Sequence, residues 1–353
     1  MSTESIEASF LSIFALISFF IFLLVSKYSH LIKDGALLDE DFLKPQAFHD
    51  IPITRSGGIA AIISMSFFFY IYYLLYEEVL YDYIFISYSA FIVGFLDDLR
   101  IKIKPMSRLI IMVFLLFIFI YSLPIKILNI DIPFLIPLMS NHIFSSLFVL
   151  LCFLFVINGA NLIDGFNGLL TINLIIINII LAYININNGN LDFSILIISQ
   201  IIILLSFLLF NFPNAKIFLG DSGAYTMGSL AGLNTIITNN LNPTISSFFF
   251  CTLLSYLFFE VFFSFLRKLL EKKSPIYPDD KHLHMLSFYK ISNSYGKIKS
   301  NYLNSIVINL FYLILITPGL YLLNDPQLSR YWFFALLLIY LVIYSRLYRF
   351  TKN

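Results

Sequence analysis

A short polar stretch with the residue types that bind metal ions and phosphate interrupts an otherwise apolar sequence. NGANLIDGFNGL starts at Asn158 and separates two strongly apolar runs. Asn158, Asn161 and Asp164 are spaced i, i+3 and i+6, which places them along one face of a helix. Their oxygen atoms suit a hard cation such as Mg²⁺. A simple helix cap followed by Gly turns would explain one or two of these residues, but not the whole set.

Two further stretches place carboxylates beside glycine. Asp97 and Asp98 end the run GFLDD, where adjacent carboxylates repel each other unless they share a cation or a proton. The alternative is a helix end that Arg100 and Lys102 neutralise. Asp221 lies in GDSG and is compatible with a helix cap. The same helix N-terminus would bind a phosphate, with a metal ion between that phosphate and Asp221.

Basic residues and histidines accompany these carboxylates. Arg55 lies in HDIPITRSGG, and its guanidinium fork matches phosphate oxygens, although a polar loop is the plainer interpretation. Arg108 follows the aspartate pair. His282 and His284 lie in KHLHML, a spacing that suits an extended loop. A zinc site would need a third nitrogen or sulfur ligand, so phosphate or sugar contacts are favoured over zinc.

Composition indicates which elements hold these residues. The chain is 59% hydrophobic and 12% charged, whereas a soluble domain carries roughly 25% charged residues. The apolar runs are continuous and about 20 residues long, which fits membrane-spanning helices and not the alternating pattern of a barrel. We therefore expect an all-α polytopic membrane protein with about 11 transmembrane helices (10 as the alternative), forming a single integral membrane domain over residues 1–353.

The first apolar run is predicted to be a retained span and not a signal peptide. No Lys or Arg precedes it, and no A-x-A-like cleavage site follows it. The predicted spans are 8–27, 57–76, 80–97, 108–123, 143–158, 168–185, 192–210, 222–238, 245–266, 303–323 and 331–348.

Charge distribution predicts the orientation of these spans. With the N-terminus outside, every Lys and Arg except Lys126 and Arg330 falls in a cytoplasmic segment, as the positive-inside rule requires. All of the polar stretches described above then lie at cytoplasmic helix ends. This one-sided clustering predicts an active site that faces the cytoplasm.

In type and order, these stretches closely resemble the signatures of the polyprenyl-phosphate N-acetylhexosamine-1-phosphate transferase superfamily. That superfamily has H-x-x-P-x-x-R-x-G-G, G-x-x-D-D, N-x-x-N-x-x-D-G-x-x-G-L, N-x-x-P-A-x-x-F-x-G-D-x-G and a late H-x-H loop. The corresponding stretches here are HDIPITRSGG, GFLDD, NGANLIDGFNGL, NFPNAKIFLGDSG and HLH. The resemblance covers roughly residues 45–290.

The sequence departs from the family pattern at a few positions. Asn214 replaces the Pro of the Pro-Ala pair, Glu260 stands where an Asp is common, and Arg108 lies one residue away from the family's spacing. The HLH loop, with acidic residues ahead of it, is more similar to enzymes that initiate surface polysaccharides such as O-antigen than to the peptidoglycan lipid I synthase.

The resemblance implies a reaction and its participants. N-acetylhexosamine-1-phosphate, or a related amino-sugar phosphate, would pass from a UDP-sugar to undecaprenyl phosphate, giving undecaprenyl-diphosphate-sugar and UMP. Asn161 and Asp221 would hold Mg²⁺, with Mn²⁺ as the alternative. Asp97 and Asp98 would lie by the acceptor phosphate, and either direct attack or a covalent aspartyl intermediate stays open.

The remaining carried-over residues divide between catalysis and substrate binding. His282, His284 and Asp164 would complete the catalytic set, with the role of Asp164 left open. Asn167 would contact the uracil. Together with Asn167, the expected substrate-binding residues are Asn158, Arg55, Arg108 and Lys216.

The expected location is the bacterial inner membrane, with lipid bilayer around the protein, no nucleic-acid partner, and a homodimer left open. A secondary transporter is one rival, but it predicts ionisable residues near the bilayer midplane. A CDP-alcohol phosphatidyltransferase is another, but DGFNGL lacks the Ala-Arg and the later aspartates of that family. A non-catalytic scaffold would have no use for all of these groups.

Overall fold

The structure is a computed structural model that describes residues 3–31, 37–39, 52–99, 101, 103–275, 277 and 279–352. His49, which opens the first polar motif, lies outside the described residues. Arg100 and Lys102, the expected neutralising partners of the aspartate pair, also lie outside them.

The described chain is almost entirely helical, which confirms an all-α polytopic membrane protein. A short antiparallel hairpin pairs β1 with β2. The elements are α1 (Thr3–Tyr28), β1 (Leu38–Asp39), β2 (Ile53–Thr54), α2 (Gly57–Tyr76), α3 (Tyr81–Asp98), α4 (Pro105–Ser122), α5 (Ile136–Met139), α6 (His142–Ile163), α7 (Leu169–Asn187), α8 (Leu191–Asn211), α9 (Gly220–Leu241), α10 (Ser247–Leu253), α11 (Ser255–Leu270), α12 (Leu283–Tyr295), α13 (Lys297–Tyr321) and α14 (Pro326–Lys352).

Each predicted span corresponds to helical structure. Within the described residues, 8 helices are long and apolar enough to cross a bilayer, or 9 if α10 and α11, which meet at a bend of 73°, form one broken span. The other two predicted spans are α3 and α9. Helix α3 carries three aspartates, Asp82, Asp97 and Asp98, and α9 is rich in Gly, Ser, Thr and Asn.

Helix α9 lies at the centre of the bundle, where α2, α3, α6 and α7 pack around it. Almost all of its residues are buried. Its small side chains allow neighbouring backbones to approach closely, and Gly228 packs directly against Ala160 of α6. A helix of such low hydropathy is stable here because other helices, and not lipid, surround it.

Buried amides tie α9 to three neighbouring helices. The Tyr83 hydroxyl donates to Asn234 Oδ1 at 2.8 Å. Asn234 Nδ2 donates to Asn178 Oδ1 at 2.9 Å and to Gln200 Oε1 at 2.8 Å. Asn234 therefore links α3, α7, α8 and α9 at a place that water does not reach, since all four side chains are buried.

Replacing the central amide should weaken the bundle. We expect Asn234→Leu to cost about 1–3 kcal/mol of unfolding free energy, because it leaves buried hydroxyl and amide groups without partners. The measurement is the thermal unfolding temperature in detergent. Asn187→Leu, on the exposed end of α7, is the matched control and should leave that temperature unchanged. Equal unfolding temperatures for the two variants would contradict a stabilising role for the network.

Candidate active site

Four helix ends converge at one end of the bundle and bring polar residues from distant parts of the sequence together. Asp97 and Asp98 end α3, Arg108 lies in the first turn of α4, and Asp221 lies in the first turn of α9. Asp164 follows directly after α6. Distances between Asp97, Asp98, Arg108 and Asp221 define a cluster of carboxylates and guanidinium groups. Asp164 belongs to it because the charges of Asp221 and Asp98 act on its carboxyl.

Asp98 caps the N-terminus of α9 from another helix. Its Oδ1 accepts the backbone N–H of Asp221 at 3.0 Å, and its Oδ2 accepts the backbone N–H of Ser222 at 2.9 Å and the Ser222 hydroxyl at 2.5 Å. The residue is 1% exposed. The sequence predicted that this helix N-terminus would bind a substrate phosphate, but in the structure the anion bound there is the carboxylate of Asp98.

Two glycines allow this cap to form. A Cβ on Gly94 of α3 would lie 2.4 Å from the backbone of Asp221, so only glycine permits α3 to approach the start of α9 so closely. Gly220 has φ of +76°, and a Cβ there would lie 2.7 Å from the Asp98 carboxylate. The glycines of GFLDD and GDSG therefore allow α3 and α9 to pack closely, and this packing fixes the position of Asp221.

Arg108 bridges the two carboxylates that remain partly exposed. Its Nη1 lies 2.8 Å from Asp97 Oδ2 and 2.7 Å from Asp221 Oδ2. The side chains of Asp97, Asp221 and Arg108 are 32%, 18% and 23% exposed, so a solute can reach all three. The guanidinium also lies 5.7 Å from the ring centroid of Tyr225, one turn further along α9. The assignment of Arg108 to this site is supported by its contacts, despite its irregular spacing.

Arg55 reaches the same cluster from the β-hairpin. Its Nη2 and Nε donate to Asp39 Oδ2 at 2.7 and 3.1 Å, and its Nη1 lies 3.9 Å from Asp98 Oδ1. The hairpin is anchored to the segment before α9, where the N–H of Phe218 donates to the carbonyl of Thr54 at 2.8 Å. Burial lowers the pKa of Arg55, but the carboxylates of Asp221, Asp39 and Asp98 together raise it above its usual value. Arg55 is therefore a permanent cation beside the carboxylates.

The NGANLIDGFNGL stretch spans the end of α6 and the turn before α7. Asn161 Nδ2 donates to the Tyr225 hydroxyl at 3.2 Å, which places Asn161 beside the tyrosine that also contacts Arg108. Asn158 instead donates to the carbonyl of Leu154 in its own helix at 2.7 Å. Burial raises the pKa of Asp164 well above its usual value, and the charges of Asp221 and Asp98 raise it further.

The turn after Asp164 is fixed by amides of other helices. The N–H of Asn167 donates to Asn301 Oδ1 at 2.8 Å, and its Nδ2 donates to the carbonyl of Pro213 at 2.9 Å. The N–H of Gly168 donates to Asn211 Oδ1 at 2.7 Å. These contacts hold the side chain of Asn167 against the segment that leads to Lys216, which is itself exposed.

The two histidines form a separate buried cluster. His282 Nδ1 lies 3.0 Å from Glu260 Oε2, and His284 Nδ1 lies 3.8 Å from the same oxygen. His282 precedes α12 and His284 lies in its first turn, so the predicted extended loop is wrong here. The residues are 2% and 0% exposed, because α12 packs on α13 and α14 and His282 lies against Glu260 of α11. Burial lowers the pKa of His284 to about 4, so it is neutral at pH 7.

An aromatic contact connects the histidine cluster with the DGFNGL turn. The rings of Phe166 and His284 meet edge to face with centroids 5.8 Å apart. Glu260 also accepts the Tyr340 hydroxyl at 3.1 Å, and Arg267 holds Asp279 at 2.6 Å. The histidines are thus buried behind the turn, and His284 contacts it through Phe166.

Sequence reasoning missed two residues that organise the site. Tyr225 contacts Asn161 and Arg108, and Ser222 completes the cap on Asp98. The signal for Tyr225 was its position four residues after Asp221, which puts the two side chains on one face of α9.

The two residues proposed for the metal, Asn161 and Asp221, do not form a closed cage. In the part of the chain that the structure describes, no group of three or more His, Cys, Asp or Glu residues has metal-binding geometry. Asn161 and Asp221 are both oxygen donors and both adjoin the Tyr225–Arg108 contact. An open, oxygen-only set fits Mg²⁺, which takes few protein ligands and completes its shell with phosphate and water.

A family model described as Glycosyl transferase family 4 matches residues 80–239. This region of the chain is similar to glycosyl transferase family 4. The matched region contains most of the carboxylate cluster, namely Asp97, Asp98, Arg108, Asp164 and Asp221. Arg55 and the two histidines lie outside the family 4 match, and their assignment depends on their own contacts.

Two kinds of curated transferase are similar to this chain. An undecaprenyl-phosphate alpha-N-acetylglucosaminyl 1-phosphate transferase from Thermotoga maritima is 32% identical over 145 residues, which is 41% of this chain and 43% of the relative. A phospho-N-acetylmuramoyl-pentapeptide-transferase from Clostridium perfringens is 31% identical over 153 residues, covering 41% of this chain and 48% of the relative. One from Clostridioides difficile is 27% identical over 198 residues, covering 52% and 62%. The chain thus spans about half the length of the curated relatives it matches.

Proposed function

We propose that this protein transfers an amino-sugar 1-phosphate, such as N-acetylhexosamine-1-phosphate, from a UDP-sugar to undecaprenyl phosphate. The products would be undecaprenyl-diphosphate-sugar and UMP, and the reaction would initiate a cell-surface polysaccharide. The observation that carries the proposal is the accessible contact of Arg108 with Asp97 and Asp221 at one end of a membrane-embedded bundle. The similarity to phospho-sugar transferases that act on undecaprenyl phosphate supports it.

The chemistry requires that anionic phosphates approach one another. An oxygen of the acceptor phosphate forms a bond to the sugar-bearing phosphorus, and the bond from that phosphorus to UMP breaks. Arg108 and Arg55 would stabilise the phosphate charges. Asn161 and Asp221 would hold Mg²⁺, which supplies a positive charge between the two substrates when bound. Asp97, the exposed member of the aspartate pair, would orient the acceptor phosphate.

The position of the site at helix ends suits a lipid acceptor and a water-soluble donor. The hydrocarbon tail stays in the bilayer while its phosphate reaches the interface. By the positive-inside rule, this end of the bundle would lie in the cytoplasm and the N-terminus outside. The membrane would be the bacterial inner membrane. The whole chain would act as one membrane domain.

A reconstituted assay tests this proposal. We expect the purified protein to release UMP from a UDP-N-acetylhexosamine only when undecaprenyl phosphate and Mg²⁺ are both present. Chelating the metal should stop the release, and Mn²⁺ should restore it. Release of CMP from a CDP-alcohol would instead favour a CDP-alcohol phosphatidyltransferase. Transport without chemistry would favour a secondary transporter.

The sugar is identified by a panel of donors in the same assay. UDP-activated GlcNAc, GalNAc, QuiNAc, FucNAc, a diamino sugar and N-acetylmuramoyl-pentapeptide should be compared at equal concentration. We expect an N-acetylhexosamine or a related amino sugar to be used in preference to the muramoyl pentapeptide. The reverse preference would indicate that the protein acts in peptidoglycan synthesis and not in surface-polysaccharide synthesis.

A further inference from the structure

A cavity of about 590 Å³ lies between α11, α12, α13 and α14. Its walls are mostly apolar, and its volume falls within the roughly 300–1,000 Å³ that ligand sites occupy. Neither Arg108 nor Asp221 lines it, so the cavity is distinct from the carboxylate cluster. The proposed transferase chemistry gives it no role.

The cavity reaches the membrane-facing surface of the bundle. Val307 and Phe311 of α13 line it and are 49% and 41% exposed. Helices α13 and α14, which supply much of the wall, are both long and apolar enough to cross a bilayer. A hydrocarbon chain in the bilayer therefore has direct access to this space.

A cation lies at the α12 end of the cavity. Lys290 lines it and is exposed, with its ammonium 5.6 Å from the ring centroid of Phe350. Arg346 and Arg349 of α14 are exposed, but neither lines the cavity. Among the described residues, no carboxylate lies within ion-pair distance of Lys290. The cavity thus joins an apolar interior to the exposed ammonium group of Lys290.

We propose that this cavity binds an anionic glycerophospholipid of the surrounding bilayer. One acyl chain would fill the apolar space, and the phosphate would lie at Lys290. Basic pockets between membrane helices bind anionic head groups in this way. Undecaprenyl phosphate is the less suitable occupant, because its phosphate must reach Arg108 and Asp221, which do not line the cavity.

A bound lipid would support the histidine cluster. Tyr340 and Phe259 line the cavity, and the Tyr340 hydroxyl donates to Glu260, the partner of His282. Filling the space on the other side of Tyr340 would hold this residue against Glu260. The lipid would therefore act on the turn at Phe166 through His284, without entering the carboxylate cluster.

Native mass spectrometry of the full chain tests the proposal. The protein would be reconstituted in nanodiscs that hold equal amounts of phosphatidylglycerol and phosphatidylcholine, and then released for lipid counting. We expect one retained phosphatidylglycerol per chain. Lys290→Gln should reduce the preference for phosphatidylglycerol about fivefold, whereas Lys299→Gln, an exposed cation outside the cavity, should not.

Variants that fill the cavity test the location. Val307→Trp should abolish the retained lipid, whereas Leu310→Trp, on an exposed part of α13 that does not line the cavity, should retain it. Ile343→Trp on α14 repeats the test if Val307→Trp fails to fold. Equal retention of the two lipids, unchanged retention in the filled variant, or one-for-one displacement by undecaprenyl phosphate would overturn the proposal.

Discussion

Asp221→Asn is expected to lower the rate of UMP release by at least about 100-fold, because it removes a charge from the centre of the site. Asp221 is the carboxylate that Arg108 contacts at 2.7 Å, and it is the charged member of the proposed metal pair with Asn161. Asparagine has nearly the same size, so the loss would report charge and not shape. The measurement is initial rate against Mg²⁺ concentration, and more Mg²⁺ should be needed by the variant.

The fold should survive this substitution. The N–H of residue 221 can still donate to Asp98, and the side chain is partly exposed. Asp192→Asn is the matched control, since Asp192 lies in the first turn of α8 and is exposed outside the cluster. It should retain full activity. Turnover close to that of the unmodified protein in Asp221→Asn would reject the site assignment.

Asp98→Asn is expected to lower the unfolding free energy by on the order of 3–5 kcal/mol. In the unmodified protein, the two carboxylate oxygens of Asp98 accept three hydrogen bonds. Asparagine has only one oxygen, and its NH₂ group would replace the other. That NH₂ group would then face a buried hydrogen-bond donor of Asp221 or Ser222. The apparent unfolding temperature in detergent, with and without Mg²⁺, measures the effect, and activity should fall with it because Asp221 loses its position.

Asp97→Asn provides the contrast from the neighbouring residue. Asp97 is 32% exposed and makes an ion pair with Arg108, so its removal should change stability by less than about 1 kcal/mol while slowing turnover. Ser222→Ala should fall between the two in stability, because it removes one bond of the cap. If Asp98→Asn unfolds at the same temperature as Asp97→Asn, the capping role is wrong, and a direct role for Asp98 with the acceptor phosphate is favoured.

Asp97 and Asp98 have different partners in the structure, which the sequence did not predict. Adjacent carboxylates in GFLDD predicted a shared cation or proton for both residues. Because successive helical side chains point about 100° apart, Asp98 instead turns towards α9 while Asp97 turns towards Arg108. The pattern identified both residues as important, but it did not separate the cap from the exposed carboxylate.

The histidines give a second example. Their spacing and polar neighbours predicted an extended loop that contacts phosphate or sugar. In the structure they are buried, because His282 contacts the Glu260 carboxylate of α11 and the Phe166 ring packs on His284. Since Glu260 and Phe166 lie outside the stretch around the histidines, the local sequence pattern did not predict these contacts.

The sequence by itself determined the membrane class, the helical segments and the family resemblance, because each depends on local composition or on residues close together in the chain. Apolar runs fix spans through the thickness of the bilayer, and the NGANLIDGFNGL and GDSG motifs are contiguous. Only the tertiary structure decided which polar residues meet: that Asp98 caps α9, that Arg108 bridges Asp97 and Asp221, and that Lys290 borders an apolar cavity. These contacts depend on helix packing, where the absence of a Cβ at Gly94 sets how closely α3 and α9 approach.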